Sequence, residues 1–186
     1  MEHLGTKELE TERLILRKFT LNDAQNMFNN WASDDEVAKY LRWQSHRTIN
    51  DTMSFLEYTT QNYSKNNHYD WAIISKEINE PIGSIGVVNQ RDDIKMVEVG
   101  YCIGKKWWNN GIAAEALNKI IEYLFNEVGV NRIEAFHVPE NGNSGKVMIK
   151  CGMEYEGLIK QGFKNNKGKL CDIELYGIIA NDYFNK

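Results

Sequence analysis

The sequence predicts an α+β fold: a mixed, mostly antiparallel central sheet of about seven strands, flanked by helices. Three observations predict it. Between residues 70 and 103 short apolar runs alternate with polar turns, the pattern of an antiparallel meander. Residues 113–128 carry apolar side chains at helical spacing and lie between two strand-like runs, 97–103 and 132–138, which makes that unit a right-handed parallel crossover. Tyr155–Phe163 and Leu170–Ile179 read as two further strands joined by the turn Asn165-Asn166-Lys167-Gly168. The chain has 186 residues, 42% hydrophobic and 26% charged, which fits a single domain over 1–186 and excludes a disordered chain.

The elements follow in order. Residues 1–11 are a polar lead-in, and Arg13–Phe19 is a strand with an apolar centre. Thr20-Leu21-Asn22-Asp23 starts a helix with Asn22 as the expected N-cap, and Ala24, Met27, Phe28 and Trp31 follow at helical spacing. Val37–Leu41 is a second short helix, and Thr48–Tyr63 a longer one. Asp70–Ser75, Ile82–Val88 and Val97–Ile103 are the meander strands. The clearest helix has Ala113, Leu117, Ile120, Ile121, Leu124, Phe125 and Val128 on one face, with Gly129 placed to end it. Arg132–Val138 is a strand, and Ser144–Cys151 a short helix ended by Gly152.

Composition narrows the function. A net charge of −4 argues against a dedicated nucleic-acid binder and is compatible with cationic partners such as amines. Cys102, Cys151 and Cys171 are widely spaced with no C-x-x-C, so neither a disulfide framework nor a zinc knuckle is expected. His3, His46, His68 and His137 show no metal-ligand spacing, and no metal is expected. No apolar stretch has the length of a membrane span, and the N-terminus lacks the pattern of a signal peptide, so a cytoplasmic protein without membrane partners is the expectation.

The chemistry concentrates in Lys105-Lys106-Trp107-Trp108-Asn109-Asn110-Gly111-Ile112-Ala113-Ala114, between a strand and the amphipathic helix. Small residues at 111, 113 and 114 let backbone N–H groups approach a ligand at the positive end of the helix, which makes an anion site. The other reading is an ordinary loop with two core tryptophans. The P-loop spacing fails at Gly142-Asn143-Ser144-Gly145-Lys146-Val147, and the dinucleotide G-x-G-x-x-G is absent, so ATP and NAD lack their fingerprints.

Glu98-Val99-Gly100-Tyr101-Cys102-Ile103-Gly104 followed by Trp107–Leu117 resembles the acetyl-CoA core of the GNAT N-acetyltransferases, whose loop reads Q/R-x-x-G-x-G/A. Trp108 stands at the Q/R position, Gly111 at the glycine and Ala113 at the last place. A tryptophan there is typical of the branch of ribosomal-protein N-terminal acetyltransferases. Asn141-Gly142-Asn143-Ser144, Lys150-Cys151-Gly152-Met153 and Thr11-Glu12-Arg13-Leu14 resemble that branch as well. The resemblance covers about residues 10–183, with the acetyl-CoA core at about 97–153.

It implies an acetyl-CoA-dependent N-acyltransferase of GNAT fold, with the strands at 97–103 and 132–138 splayed. The pyrophosphate would lie on N–H groups of Trp108, Asn109, Asn110, Gly111, Ile112, Ala113 and Ala114. The pantetheine arm would pair along Tyr101, Cys102 and Ile103, with Asn141 on its other side. Lys105, Lys106 and Lys146 are candidates for the 3′-phosphate. The free N–H of Cys102 or Ile103 would face the thioester oxygen. Glu98 is the expected general base, with a solvated strand-end carboxylate as its plain reading and His137 as the alternative base. Met148 occupies the place where many members keep an acidic tyrosine, so Ser144 takes the role at the sulfur, or else caps a helix, or both. Some members acting on ribosomal-protein N-termini carry a glutamate in a K-Q-x-E segment; here the segment is Lys160-Gln161-Gly162-Phe163 and the carboxylate is absent.

Trp31, Tyr40, Trp43, Tyr69 and Trp71 either frame the acceptor pocket or belong to the core. The favoured acceptor is a peptide or protein α-amino group. The alternatives are a small amine (polyamine, amino acid or aminoglycoside) and a non-catalytic acyl-CoA-binding module. Homodimerisation is common among the proteins resembled, and nothing in the sequence identifies an interface.

Overall fold

The computed structural model describes residues 1–185. Eight strands form one sheet, one more than expected. β1 (Leu9–Glu10) and β2 (Leu14–Arg17) lead to three helices, α1 (Ala24–Met27), α2 (Asp35–Ala38) and α3 (Ile49–Asn62). β3 (Asp70–Ser75), β4 (Glu80–Arg91) and β5 (Met96–Ile103) form the meander. α4 (Ile112–Tyr123) crosses to β6 (Arg132–His137), and α5 (Gly142–Lys150) follows. The hairpin of β7 (Glu154–Lys164) and β8 (Leu170–Ile179) precedes the short α6 (Ala180–Phe184). The spatial order is β1-β2-β3-β4-β5-β6-β8-β7, with β5–β6 the one parallel pair in this sheet. The extra strand is β1, two residues long, too short to show a period; it pairs Leu9 with Leu16 and Glu10 with Ile15.

Local chemistry explains the helix ends. Thr48 caps α3 by a reciprocal box with Asp51. The cap of the first helical segment is Thr20 rather than Asn22: its N–H donates to the Asp23 carboxylate at 2.7 Å. α4 buries Ile112, Leu117, Ile120 and Ile121, each contributing about 1.5–3 kcal/mol by leaving water. It widens over 124–128 and stops at Gly129, whose φ of +71° suits glycine.

The sheet separates two cores. Trp71 and Ile73 of β3 face α4, whereas Ala72 and Ile74 face the layer of α1 and α3. Alternation then assigns Asp70 to the α3 side. Across β4 and β5 the register runs Asp70↔Gly86↔Gly100, so Glu98 and Cys102 share that face.

The feature that positions the site is a break in pairing. β5 and β6 are in register only at Met96↔Arg132, Val97↔Ile133 and Glu98↔Glu134. Beyond Glu98 the strands part, while β6 stays paired with β8 on its other edge from Arg132 to His137. The expected splay is therefore present, with Glu98 at its apex.

Candidate active site

Gly111 has φ +76° and stands immediately before α4. The N–H of Glu115 bonds back to the Gly111 carbonyl, which leaves the N–H groups of Ile112, Ala113 and Ala114 without intrahelical acceptors. Together with the helix dipole they form an anion cradle. A Cβ on Gly111 would meet only Arg13 Nη2 at 3.5 Å and Lys150 Nζ at 3.8 Å, so two cations border an otherwise open space. Arg13 is the brace of this loop. It donates to Glu115 of α4 at 2.6 Å and to the Asn110 carbonyl at 2.9 Å, while Thr11 donates to the same Glu115 at 2.6 Å. The Thr11-Glu12-Arg13 motif and the glycine loop are thus one construction.

A cavity of about 630 Å3 runs from this cradle into the splay. Tyr101, Cys102, Ile103, Trp108, Asn109, Gly111, Ile112, Ala113, Ala114, Asn141, Ser144 and Lys146 line it, as does Lys150, which sequence reasoning passed over. Asn110 stands outside the lining, its carbonyl turned to Arg13. Lys105 is diverted to an ion pair with Glu36 at 2.7 Å, and Lys106 lies over the Trp107 ring, so of the three expected lysines Lys146 alone reaches this cavity.

A second cavity of about 480 Å3 opens on the α3 side of the sheet. The two share Tyr40, Leu41, Tyr101, Cys102, Asn141 and Ser144, and their junction lies at the mouth of the splay. The N–H of Gly104 bonds to Ile82 on β4. Antiparallel alternation then turns the N–H of Cys102 to β4 as well and those of Tyr101 and Ile103 towards the open side. This corrects the expected Cys102 N–H donor: that group is already paired, and Ile103 and Tyr101 are the backbone donors facing the gap. The Ile103 carbonyl accepts from the Trp108 indole at 2.7 Å, which ties the loop to the strand end. Burial pushes the Cys102 thiol up to about 11, so it is neither a thiolate nucleophile nor an acyl carrier at neutral pH.

Ser144 lies inside α5 and does not cap it; the capping position belongs to Asn141. The Ser144 hydroxyl instead shares a 2.9 Å hydrogen bond with the Tyr101 hydroxyl, which also donates to the Ser144 carbonyl at 3.1 Å. Burial pushes the Tyr101 phenol up, so this hydroxyl pair holds its protons.

Glu98 is an enclosed carboxylate, not a solvated one. Burial raises its pKa, Arg42 and a hydrogen bond from Asn89 pull it down, and Glu134 pushes it up; the net shift is upward. Arg42 donates to Glu98 at 2.5 Å and lies over the rings of Phe136 and Phe163, 5.3 and 5.5 Å from their centroids. Phe163, at the position where the family resemblance led one to look for a glutamate, is thus the platform for the guanidinium that holds Glu98. Arg42 was not foreseen.

His137 borders the second cavity, but its Nδ1–H donates to the Val138 carbonyl at 2.8 Å and its Nε2 is buried against Gly145, 3.3 Å from Glu174. Neither nitrogen faces the junction, which removes it as the base. Trp31, Tyr40 and Trp43 line the second cavity, whereas Tyr69 and Trp71 are core: the Tyr69 ring packs on Trp71 and Tyr123, and Trp71 donates its indole N–H to the Lys7 carbonyl at 2.6 Å. The described residues hold no cluster suited to a metal ion and no helix long and apolar enough to cross a membrane.

A parallel strand pair opened over a helix N-terminus, with an anion cradle at one end and a carboxylate at the apex, is the frame of an acyl-CoA-dependent transferase. The chain belongs to the GNAT acetyltransferases: residues 13–154 match the model of the acetyltransferase (GNAT) domain. It is 33% identical to the uncharacterized N-acetyltransferase p20 of Bacillus licheniformis, over 94% of this chain and 97% of that protein. It is 27% identical to the ribosomal protein uS5-alanine N-acetyltransferase of Escherichia coli, over 82% of this chain and 80% of that one. A crystal structure of a GNAT acetyltransferase from Bacillus anthracis superposes with a TM-score of 0.82 at 28% identity, covering 94% of this chain and 99% of that one. The protein is an acetyl-CoA-dependent N-acyltransferase.

Proposed function

We propose that this enzyme acetylates a primary amine drawn into the second cavity, by direct transfer from acetyl-CoA in a ternary complex. The observation that carries this reading is the junction of the two cavities at Cys102, Asn141 and Ser144, just inside the splay. The pyrophosphate rests on Ile112, Ala113 and Ala114 with Lys150 and Arg13 beside it, and the 3′-phosphate is served by Lys146. The pantetheine arm takes the place of the missing ladder along Tyr101 and Ile103, with Asn141 opposite.

Glu98 accepts the proton of the incoming ammonium through cavity water, since an amine of pKa near ~10 arrives charged. The freed nitrogen attacks the thioester carbon, and the Ile103 and Tyr101 N–H groups stabilise the carbonyl oxygen as it becomes negative. The carbon–sulfur bond then breaks. The nitrogen gives up its second proton to cavity water, and the leaving thiolate, which accepts a hydrogen bond from the Ser144 hydroxyl of the Ser144–Tyr101 pair, takes a proton from that water. Ser144→Ala is expected to lower kcat about 10- to 100-fold with KM for acetyl-CoA nearly unchanged; steady-state thiol release that kept its full rate would remove Ser144 from the reaction.

Of the two acceptor classes, the peptide α-amino group is supported by the similarity to the uS5-alanine enzyme. The small amine is supported by the cavity itself, whose lining joins the Glu98 carboxylate to the aromatic side chains of Trp43, Phe55 and Tyr58, and is the reading we adopt. Three free cysteines, two of them buried, fit a reducing cytoplasmic setting. The test is thiol release from acetyl-CoA against peptides with N-terminal Ser, Ala or Met, polyamines, amino acids and aminoglycosides. Turnover with small amines supports the proposal, turnover with peptides alone replaces the acceptor, and acetyl-CoA binding without any turnover favours a non-catalytic module.

A further inference from the structure

The second cavity contains a carboxylate that the mechanism leaves unused. Asp70 opens β3, and its Oδ2 accepts from Thr59 at 2.7 Å. Thr59 is fully buried and is itself bonded to His68 Nε2 at 3.0 Å, so the arrangement is fixed from behind. Oδ1 has no hydrogen-bond partner among the described residues, and no described cation pairs with Asp70. Glu98, the other carboxylate lining this cavity, is already paired with Arg42.

The floor between them is stripped of side chains. Asp70, Gly86 and Gly100 form one row across three strands, so Gly86 alone separates Asp70 from the β5 column, in which Gly100 leaves a gap between Glu98 and Cys102. A Cβ on Gly86 would sit 2.6 Å from the Tyr69 carbonyl and 3.2 Å from Asp70 Oδ1, which excludes any larger residue and leaves the oxygen uncovered. Two strand spacings and two residues along the strand put the Asp70 Cα on the order of 12 Å from those of Glu98 and Cys102. Once side chains and hydrogen bonds take their share, roughly half a nanometre remains, the span of a short alkyl chain. Trp43, Phe55 and Tyr58 supply aromatic faces along it, which suit a cation.

Resting on the amine-acetylation reading, we infer that Asp70 anchors a second cationic group of the acceptor, so that the substrate is a small aliphatic diamine or a longer polyamine, acetylated at the end that reaches the junction. Asp70 is a specificity-determining residue here: it binds one ammonium while the other, relieved of its proton, attacks the thioester.

The charge balance around it agrees. The charged and titratable groups around this cavity are Glu98, Tyr101 and Cys102 from β5, Tyr40, Arg42 and His46 from the segment before α3, Tyr58 from α3, His68 before β3, and His137 at the end of β6, whose Nδ1 is bonded to the Val138 carbonyl and whose Nε2 is buried near Glu174. Arg42 is committed to Glu98, and burial lowers His46 and His68, so neither supplies a competing positive charge at neutral pH. Burial raises the Asp70 carboxyl to about 6, against the smaller opposite effect of Thr59. It is therefore ionised at pH 7 and becomes neutral as pH falls through about 6, and KM for a diamine should rise over that interval.

The experiment compares 1,4-diaminobutane with butylamine, which has the same chain and one charge. Wild-type enzyme should prefer the diamine in kcat/KM by about 10- to 100-fold. Asp70→Asn, which keeps an acceptor for Thr59, should raise KM for the diamine by a similar factor with kcat, KM for acetyl-CoA and butylamine kinetics unchanged. Asp70→Ser serves as the second variant if the first does not fold. Equal use of the two amines by wild type, or equal losses for both in the variants, would overturn the inference. Calorimetry of 1,4-diaminobutane with the CoA-loaded protein separates the two readings. Binding that needs Asp70 without any thiol release leaves the anchor standing and sinks amine acetylation; turnover of peptides without diamine binding does the reverse.

Discussion

Gly111→Trp leaves acetyl-CoA binding at least about 100-fold weaker, with the fold intact. The loss follows from where the side chain must go. Gly111 has φ +76° and its Cβ direction points into open space between Arg13 and Lys150, the space assigned to the pyrophosphate. An indole there covers the N–H groups of Ile112 to Ala114 and displaces both cations. The backbone strain of a non-glycine residue in this conformation is about 1–2 kcal/mol, which a single domain of this size tolerates. Gly129 provides the control. It has φ +71°, nothing within 4 Å of its Cβ position, and ends the same helical run at the far side. Gly129→Trp carries the same strain and should bind acetyl-CoA normally by calorimetry. Equal loss in both variants would trace the effect to stability, and normal binding by Gly111→Trp would remove the pyrophosphate from this loop.

Glu98→Gln should lower kcat by about 100-fold or more, the scale of a lost general base, while acetyl-CoA affinity stays within a few-fold. Gln keeps the size of the side chain and can still accept from Arg42. In wild type the rate falls as pH drops through the pKa of Glu98, because the base works only when ionised; burial sets that limb above the ordinary carboxylate range. The limb should vanish in the Gln variant. Arg42→Ala, which takes away the largest opposing influence, should move it to still higher pH. A variant with wild-type rate and an unchanged profile would show that the proton leaves by another route.

Much of this was legible in the residues. β3 and β8 match their expected bounds because their apolar runs are closed by polar turns at both ends, and α3 begins after the Thr48 that its box with Asp51 announces. The anion loop was legible because glycine and alanine spacing speaks directly of backbone access. What stayed hidden depends on partners far apart in sequence. Arg42 and Glu98 are separated by 56 residues, and Arg13 and Glu115 by 102, so no local pattern joins them. Asp70 looked like the polar start of a strand; only the register with Gly86 and Gly100 shows what faces it. Ser144 looked like a cap because the helix was expected to start there, whereas it begins at Gly142. A signal for the first cap was present in Thr20-Leu21-Asn22-Asp23, since a threonine three residues before an acid outranks an asparagine beside it.

The parting of β5 and β6 reaches beyond the reaction. A sheet with an unfilled seam is an unfinished fold, and here the missing rung is a metabolite. By mass action a ligand at 100 times its dissociation constant adds about 2.7 kcal/mol to the native state. That is a large fraction of what holds a domain of this size together. The stability of the folded enzyme is thereby coupled to occupancy of the seam by the CoA moiety, and the empty protein opens there at a lower free-energy cost.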